Sequence, residues 1–326
     1  MPESWNTVHP VTAHHVNDVE PLRLNVAGLN RTYGVSIALG AENQSNNFHY
    51  EISLGYTQLT GNQYLVEITK ERVYINDKPA EQMIDEFAEK CGNILYPVKV
   101  LTNTRGEFIK VANYEEIKQR WNKEKESLSK YYEGDLAGDL ITGMDRAVNN
   151  ERHINQVIKN DWFFSLYFSP LYNINNNPNS NAGEIALPML AYTQPLIFSI
   201  TQTKDTSPTE SKTFEIQQQG ICTDARSAED LLKGLANPVS GAFSDIHTPV
   251  EGAVELNYKV YLADCSISSI TCKSKVLIGA TERIAEISIY HLREKDRLKD
   301  SNPALLVEEQ AEQPEKKKGF FSFLFN

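Results

Sequence analysis

The sequence predicts an α+β fold in which antiparallel meanders from the N- and C-terminal parts form a curved sheet system, with a helical middle at about 113–169. Three observations carry this. Apolar residues alternate with polar ones in runs near both ends, which is the period of a half-buried strand. Apolar stripes of helical period fill the middle. Strand runs come first, helices next and strand runs again, an order that favours α+β over alternating α/β.

A first strand is expected around Tyr33 to Leu39, then one over 48–56, where Phe48, Tyr50, Ile52, Leu54 and Tyr56 share a face opposite His49, Glu51 and Ser53. Thr60, Gly61 and Asn62 supply a turn into a third strand with Tyr64, Val66 and Ile68 inward. A helix over 79–91 starts on Pro79, buries Met83, Ile84, Phe87 and Cys91, and ends on Gly92 in the left-handed cap. Residues 95–101 and 107–111 read as a hairpin around 102–106. Asn113 with Glu116 three residues on predicts a capping-box-like start to the next helix, with Tyr114, Ile117, Trp121, Leu128 and Tyr131 on one face. Gly134, Gly138 and Gly143 weaken a helix over 133–149, each by about 1 kcal/mol against alanine. One further helix runs from Glu151 through the aromatic block to Pro170, before an asparagine-rich loop over 173–183.

Pro188 and Pro195 make 185–200 an edge strand or bent pair. A strand over 213–221 and a short helix over 228–235 capped by Ser227 follow. The strongest strand signal is 253–263, with Val254, Leu256, Tyr258, Val260 and Leu262 on one face; 267–278 and 283–292 complete the second meander. The organisation read from these signals is an arm at 1–20, a body at 21–294, a polar linker at 295–315 and a basic-aromatic tail at 316–326.

With 40% hydrophobic and 23% charged residues the chain has the composition of a globular protein. Its net charge of −11 argues against nucleic acid, which demands a basic footprint. The first twenty residues lack a basic region followed by an apolar run, so no secretory leader is read there. Cys91, Cys222, Cys265 and Cys272 lack the spacing of a disulfide framework, so free thiols and a cytoplasmic location are expected, with peripheral membrane association through the tail as an alternative to docking on a protein.

Candidate chemistry is sparse. His9, His14 and His15 with Asp18 and Glu20 lie on a segment with no element to hold metal ligands rigid, and read as a solvated arm. Glu133, Asp135, Asp139 and Asp145 could offer oxygen ligands to a hard cation, but read as a polar helix surface. Cys265 and Cys272 are seven residues apart, unlike the short-spaced pairs of a zinc site. No phosphate loop, nucleophile elbow or paired-histidine motif occurs, and no metal or cofactor is predicted.

Trp162, Phe163, Phe164, Tyr167 and Phe168 form an aromatic block that either walls a ligand cavity or builds core. The tail is the most unusual segment: Lys316, Lys317 and Lys318 precede Phe320, Phe321, Phe323, Leu324 and Phe325. Four phenylalanines on a charged leash fit a docking element for a protein partner or an anionic membrane surface; the bland alternative is that they pack on the body. The leading expectation is therefore a non-enzymatic interaction or assembly protein with an aromatic docking tail. The alternative is a carrier or sensor holding an apolar small molecule between the curved sheet and the helices. A metal-dependent enzyme has only the acidic and histidine clusters behind it.

Overall fold

Strand β9 (Glu251–Tyr261) buries Val254, Leu256, Tyr258 and Val260 and exposes Glu255 and Lys259, as a period of two requires. That pattern repeats across the sheet in the computed structural model, which describes residues 23–292 apart from 42–43, 77–82, 133, 173–180, 192, 206, 208, 210 and 240–249. The arm at 1–20, the linker and the tail at 316–326 lie outside the described residues.

The first meander comprises β1 (Asn30–Ala41), β2 (Gln44–Leu59) and β3 (Gln63–Ile75), extended by the hairpin β4 (Val98–Asn103) and β5 (Phe108–Val111). The second comprises β6 (Asn181–Leu187), β7 (Leu196–Asp205), β8 (Thr213–Cys222), β9, β10 (Ile267–Ile278) and β11 (Thr281–His291). They form one antiparallel sheet of 11 strands in the order β5-β4-β3-β2-β1-β11-β10-β9-β8-β7-β6. The first and last strands, β1 and β11, meet in its centre, where Val35 pairs with Ile289 and Ile37 with Ile287. Directly opposed residues share a face, so Ile68, Leu54, Ile52, Tyr33, Val35, Ile289, Ile270 and Tyr258 belong to one buried inner face. The outer face mixes charged and apolar side chains, with Glu255, Lys273 and Glu286 exposed in one cross-strand row. Strand β6 is the sheet edge, consistent with the two prolines between it and β7.

The helix α1 (Met83–Asn93) falls between β3 and β4, α2 (Tyr114–Tyr131), α3 (Asp135–Val148), α4 (Glu151–Lys159) and α5 (Trp162–Tyr167) between β5 and β6, and α6 (Ala228–Leu232) between β8 and β9. Ile117, Trp121, Leu128, Met144, Val148, Ile154 and Ile158 join the sheet's inner residues in a single core. Sheet with a helical cover is the α+β architecture expected.

Five local expectations need correction. Gly92 lies inside α1 and has no left-handed φ; the helix continues to Asn93 and turns through a Leu95 N–H to Gly92 carbonyl bond of 3.2 Å. Asn113 is at the N-cap of α2 but does not cap it. Its Oδ1 accepts from the Lys99 N–H at 2.9 Å and its Nδ2 donates to Glu116 and the Pro97 carbonyl, so the side chain ties helix to β4 instead. Tyr131 is 67% exposed, and Lys90 stands 5.1 Å from its ring centre. The single helix expected from Glu151 through the aromatic block is two, α4 and α5, because Asp161 takes an extended backbone and accepts the Phe163 N–H at 2.8 Å as the cap of a new helix. Leu262 is exposed in the turn after β9 rather than continuing its inward row. Ser227 does cap α6, with a reciprocal Asp230 bond completing a capping box.

Candidate functional site

Helix α5 has only six residues, and five of them, Trp162, Phe163, Phe164, Leu166 and Tyr167, are buried. A helix apolar on every side is core on every side. The five aromatic residues singled out in the sequence are thus brought together beneath the inner face of the sheet. Phe163 stacks on Tyr167 at 5.1 Å between ring centres, and Phe164 on Phe168 at 5.7 Å. Hydroxyl groups fasten the block to the strands. The Tyr33 hydroxyl lies 3.4 Å from that of Tyr167 and donates to the Ile267 carbonyl at 2.7 Å. Tyr258 from β9 meets Ser169 Oγ at 3.0 Å and the Leu166 carbonyl at 3.2 Å, and Tyr172 donates to the Cys265 carbonyl at 2.7 Å. Burial pushes the phenols of Tyr33, Tyr56, Tyr167, Tyr172 and Tyr258 up, so they remain neutral donors.

Next to this block stands a charged group that the sequence reading missed. Register places Lys70 opposite Ile52, on the inner face. Its Nζ lies 4.1 Å from the Tyr50 ring centre and 6.0 Å from that of Tyr96. No carboxylate comes within ion-pair distance of it among the described residues. Desolvation lowers the Lys70 pKa, partly opposed by the charge of Asp161. Asp161 in turn has its pKa raised by burial, partly offset by Lys70 and by the backbone N–H groups of Phe163 and Phe164. Its charge also raises the phenols of Tyr50 and Tyr96, after the larger effect of their own burial. The Tyr50 hydroxyl and the Trp162 indole N–H are buried without a hydrogen-bond partner. Lys70 and Asp161 keep some accessible surface, whereas Tyr50 and Trp162 are 6% and 4% exposed.

The other wing of the sheet holds a second polar group on the inner face. Gln202 of β7 and Gln218 of β8 are paired in register and buried, and Gln218 Nε2 donates to Gln202 Oε1. That leaves Gln202 Nε2 and Gln218 Oε1 without partners. The signal for Lys70, Gln202 and Gln218 was available: each occupies a strand position that alternation turns inward, where a polar residue is costly. Asp161 offered none, because α4 and α5 read as one helix.

The other candidates fall to structural roles. Asp145 accepts from Lys125 Nζ and from Trp121 Nε1, both at 2.9 Å, and the hydrogen bond from Lys125 leads in lowering its pKa. Asp139 is exposed, and the side chains of Glu133 and Asp135 lie outside the described residues, as do His9, His14 and His15. Among the described residues no group of three or more His, Cys, Asp or Glu side chains could hold a metal ion. All four cysteines are free. Burial pushes the Cys91 and Cys272 thiols up to about 12, where a nucleophilic thiolate does not form at neutral pH.

No family model and no curated protein matches the sequence. Among solved structures, one described as "Lipid-protein interactions in lipovitellin" aligns over 81% of this chain at a TM-score of 0.39 and 9% identity. The chain spans 25% of that lipovitellin chain. The MucA/MucB complex of Pseudomonas aeruginosa aligns over 82% of this chain and 91% of its own at a TM-score of 0.14 and 6% identity. Likenesses this distant carry no functional argument.

Proposed function

We propose that the protein is a non-catalytic binding protein whose body carries or senses an apolar small molecule between the inner face of a curved sheet and its helical cover. The observation behind this reading is a set of polar atoms without partners: Tyr50 Oη on one wing of the sheet, Trp162 Nε1 on α5, and Gln202 Nε2 and Gln218 Oε1 on the other wing. Buried polar groups are paired in nearly all folded proteins, and each orphan costs about 1–3 kcal/mol. A molecule with an apolar body and a few polar atoms would satisfy them. The aromatic faces of Trp162 to Phe168 supply the apolar wall such ligands need.

Curvature is supported by two glycines. Gly220 and Gly252 lie in inward register, opposite Val254 and Val276. A Cβ on Gly220 would come 2.6 Å from the Ser199 carbonyl oxygen, and one on Gly252 would collide with Val276 Cγ1. Inner side chains that crowd in this way mark a concave face, and glycine is the device that permits it.

The tail at 316–326 keeps its sequence-based reading as an attachment to a protein partner or an anionic membrane surface. No helix of the described residues is long and apolar enough to cross a membrane. A carrier body and an attachment tail are compatible. The test of the carrier is titration of the full-length chain with the apolar fluorophore N-phenyl-1-naphthylamine. Saturable enhancement at one equivalent, competed by a long-chain alcohol, supports the reading; a linear, non-saturable response overturns it.

A further inference from the structure

The cluster at Lys70 points to the chemistry of the ligand's polar end. Resting on the carrier reading above, we propose that Lys70, with the Tyr50 hydroxyl, forms the head-group subsite for an acyl amphiphile carrying an acceptor-rich anion, a carboxylate or a phosphate monoester.

The unmatched groups are donors. The Lys70 ammonium has three N–H groups, and among the described residues its recorded contacts are with the faces of Tyr50 and Tyr96. The Tyr50 hydroxyl is buried with no partner. The indole N–H of Trp162, the residue after Asp161, is also unpartnered. The Asp161 carboxylate already accepts the Phe163 N–H at 2.8 Å. Had Lys70 served to neutralise Asp161, contact within 4 Å would be the efficient geometry, since an unpaired interior charge is expensive. It instead stands over two rings, where the cation–π attraction holds it in reserve and leaves its protons unused. An anion would take those protons and the Tyr50 hydroxyl together, as charge-assisted bonds that are the strongest available to a side chain.

The location fits an amphiphile rather than a free anion. Lys70 and Asp161 are half-buried, and α5 leads from Asp161 directly into the aromatic block. A head at Lys70 would thus stand beside the N-terminal end of the helix that carries the aromatic block. The Gln202 and Gln218 amides are on the far wing and take no part in the head site.

The experiment measures displacement of N-phenyl-1-naphthylamine from the full-length chain by hexadecanoic acid, its methyl ester and hexadecyl phosphate. The wild-type chain should bind one or both anions at least about tenfold more tightly than the ester, the equivalent of about 1.4 kcal/mol. Lys70→Met should bring all three within about twofold while leaving ester affinity unchanged, and Lys70→Arg should keep the preference, because only the charge and donors are required. Tyr50→Phe, which removes a single oxygen and is the safer variant for folding, should narrow the preference without altering the ester. The ranking of acid against phosphate identifies the head. Equal affinity of the ester and both anions for the wild type overturns the head site and leaves the carrier intact. Failure of all three to displace the probe overturns both.

Discussion

Tyr258 offers the sharpest test of the sheet's facing. It is 0% exposed at the centre of β9, with Ile270 and Ile216 beside it in register, and its hydroxyl joins the sheet to α5 through Ser169 and Leu166. Its chain neighbour Lys259 faces outward and pairs with Glu215 at 3.3 Å. Tyr258→Phe keeps the ring and deletes the bond, which should cost about 1–3 kcal/mol because Ser169 and the Leu166 carbonyl stay buried. Tyr258→Asp removes the ring, worth about 3–5 kcal/mol in a core, and buries a carboxylate as well. The total reaches the whole stability of an ordinary domain, about 5–15 kcal/mol, so that variant should be largely unfolded. Lys259→Asp loses an exposed pair worth at most about 1 kcal/mol. Thermal unfolding followed by circular dichroism reads all three, at about 2–4 °C per kcal/mol for a domain of 150–250 residues. Similar small shifts for Tyr258→Asp and Lys259→Asp would refute the facing of β9 and with it the inner face.

Three further outcomes follow from named contacts. The Asp161 carboxyl titrates higher in the folded chain than its unfolded value of about 3.9, so the folded state binds more protons between those two pKa values and stability falls as pH rises through that window. Asp161→Asn, which retains a side-chain acceptor for the Phe163 N–H, should lack this component; identical pH profiles of melting temperature would contradict it. The Arg226–Asp224 pair is buried at 2.6 Å, and Arg226 also donates to the Gln194, Pro195 and Leu235 carbonyls. Arg226→Leu should therefore destabilise by about 3–5 kcal/mol in denaturant titration, and a loss below about 1 kcal/mol would show that the pair is not buried. Deleting 316–326 should leave the melting temperature unchanged and abolish salt-sensitive sedimentation with anionic vesicles or capture of a protein partner; a fall of many degrees with no lost association would place the phenylalanines in the core.

Much of the sheet was legible in the sequence because its signal is local. Val254, Leu256, Tyr258 and Val260 alternate with polar residues, and that alone assigns strand and buried face. The pairing of Val35 with Ile289 is not written in either segment, since alternation fixes a face and not a partner. Capping signals misled where a side chain had a better tertiary use: the Asn113 Oδ1 accepts the Lys99 N–H instead of an N–H of its own helix. The aromatic block was visible as composition, while its role depended on Tyr33, Tyr258 and Tyr172 arriving from distant strands. Lys70 was overlooked because Val66 and Ile68 had already satisfied the strand pattern, and the next inward position was not followed.

The central claim, that the interior accepts an amphiphile, is tested most directly by equilibrium dialysis of radiolabelled hexadecanoic acid against the full-length chain. The account predicts saturable binding of one equivalent, lost on competition with unlabelled acid. Label that distributes equally on both sides of the membrane at every concentration would contradict it.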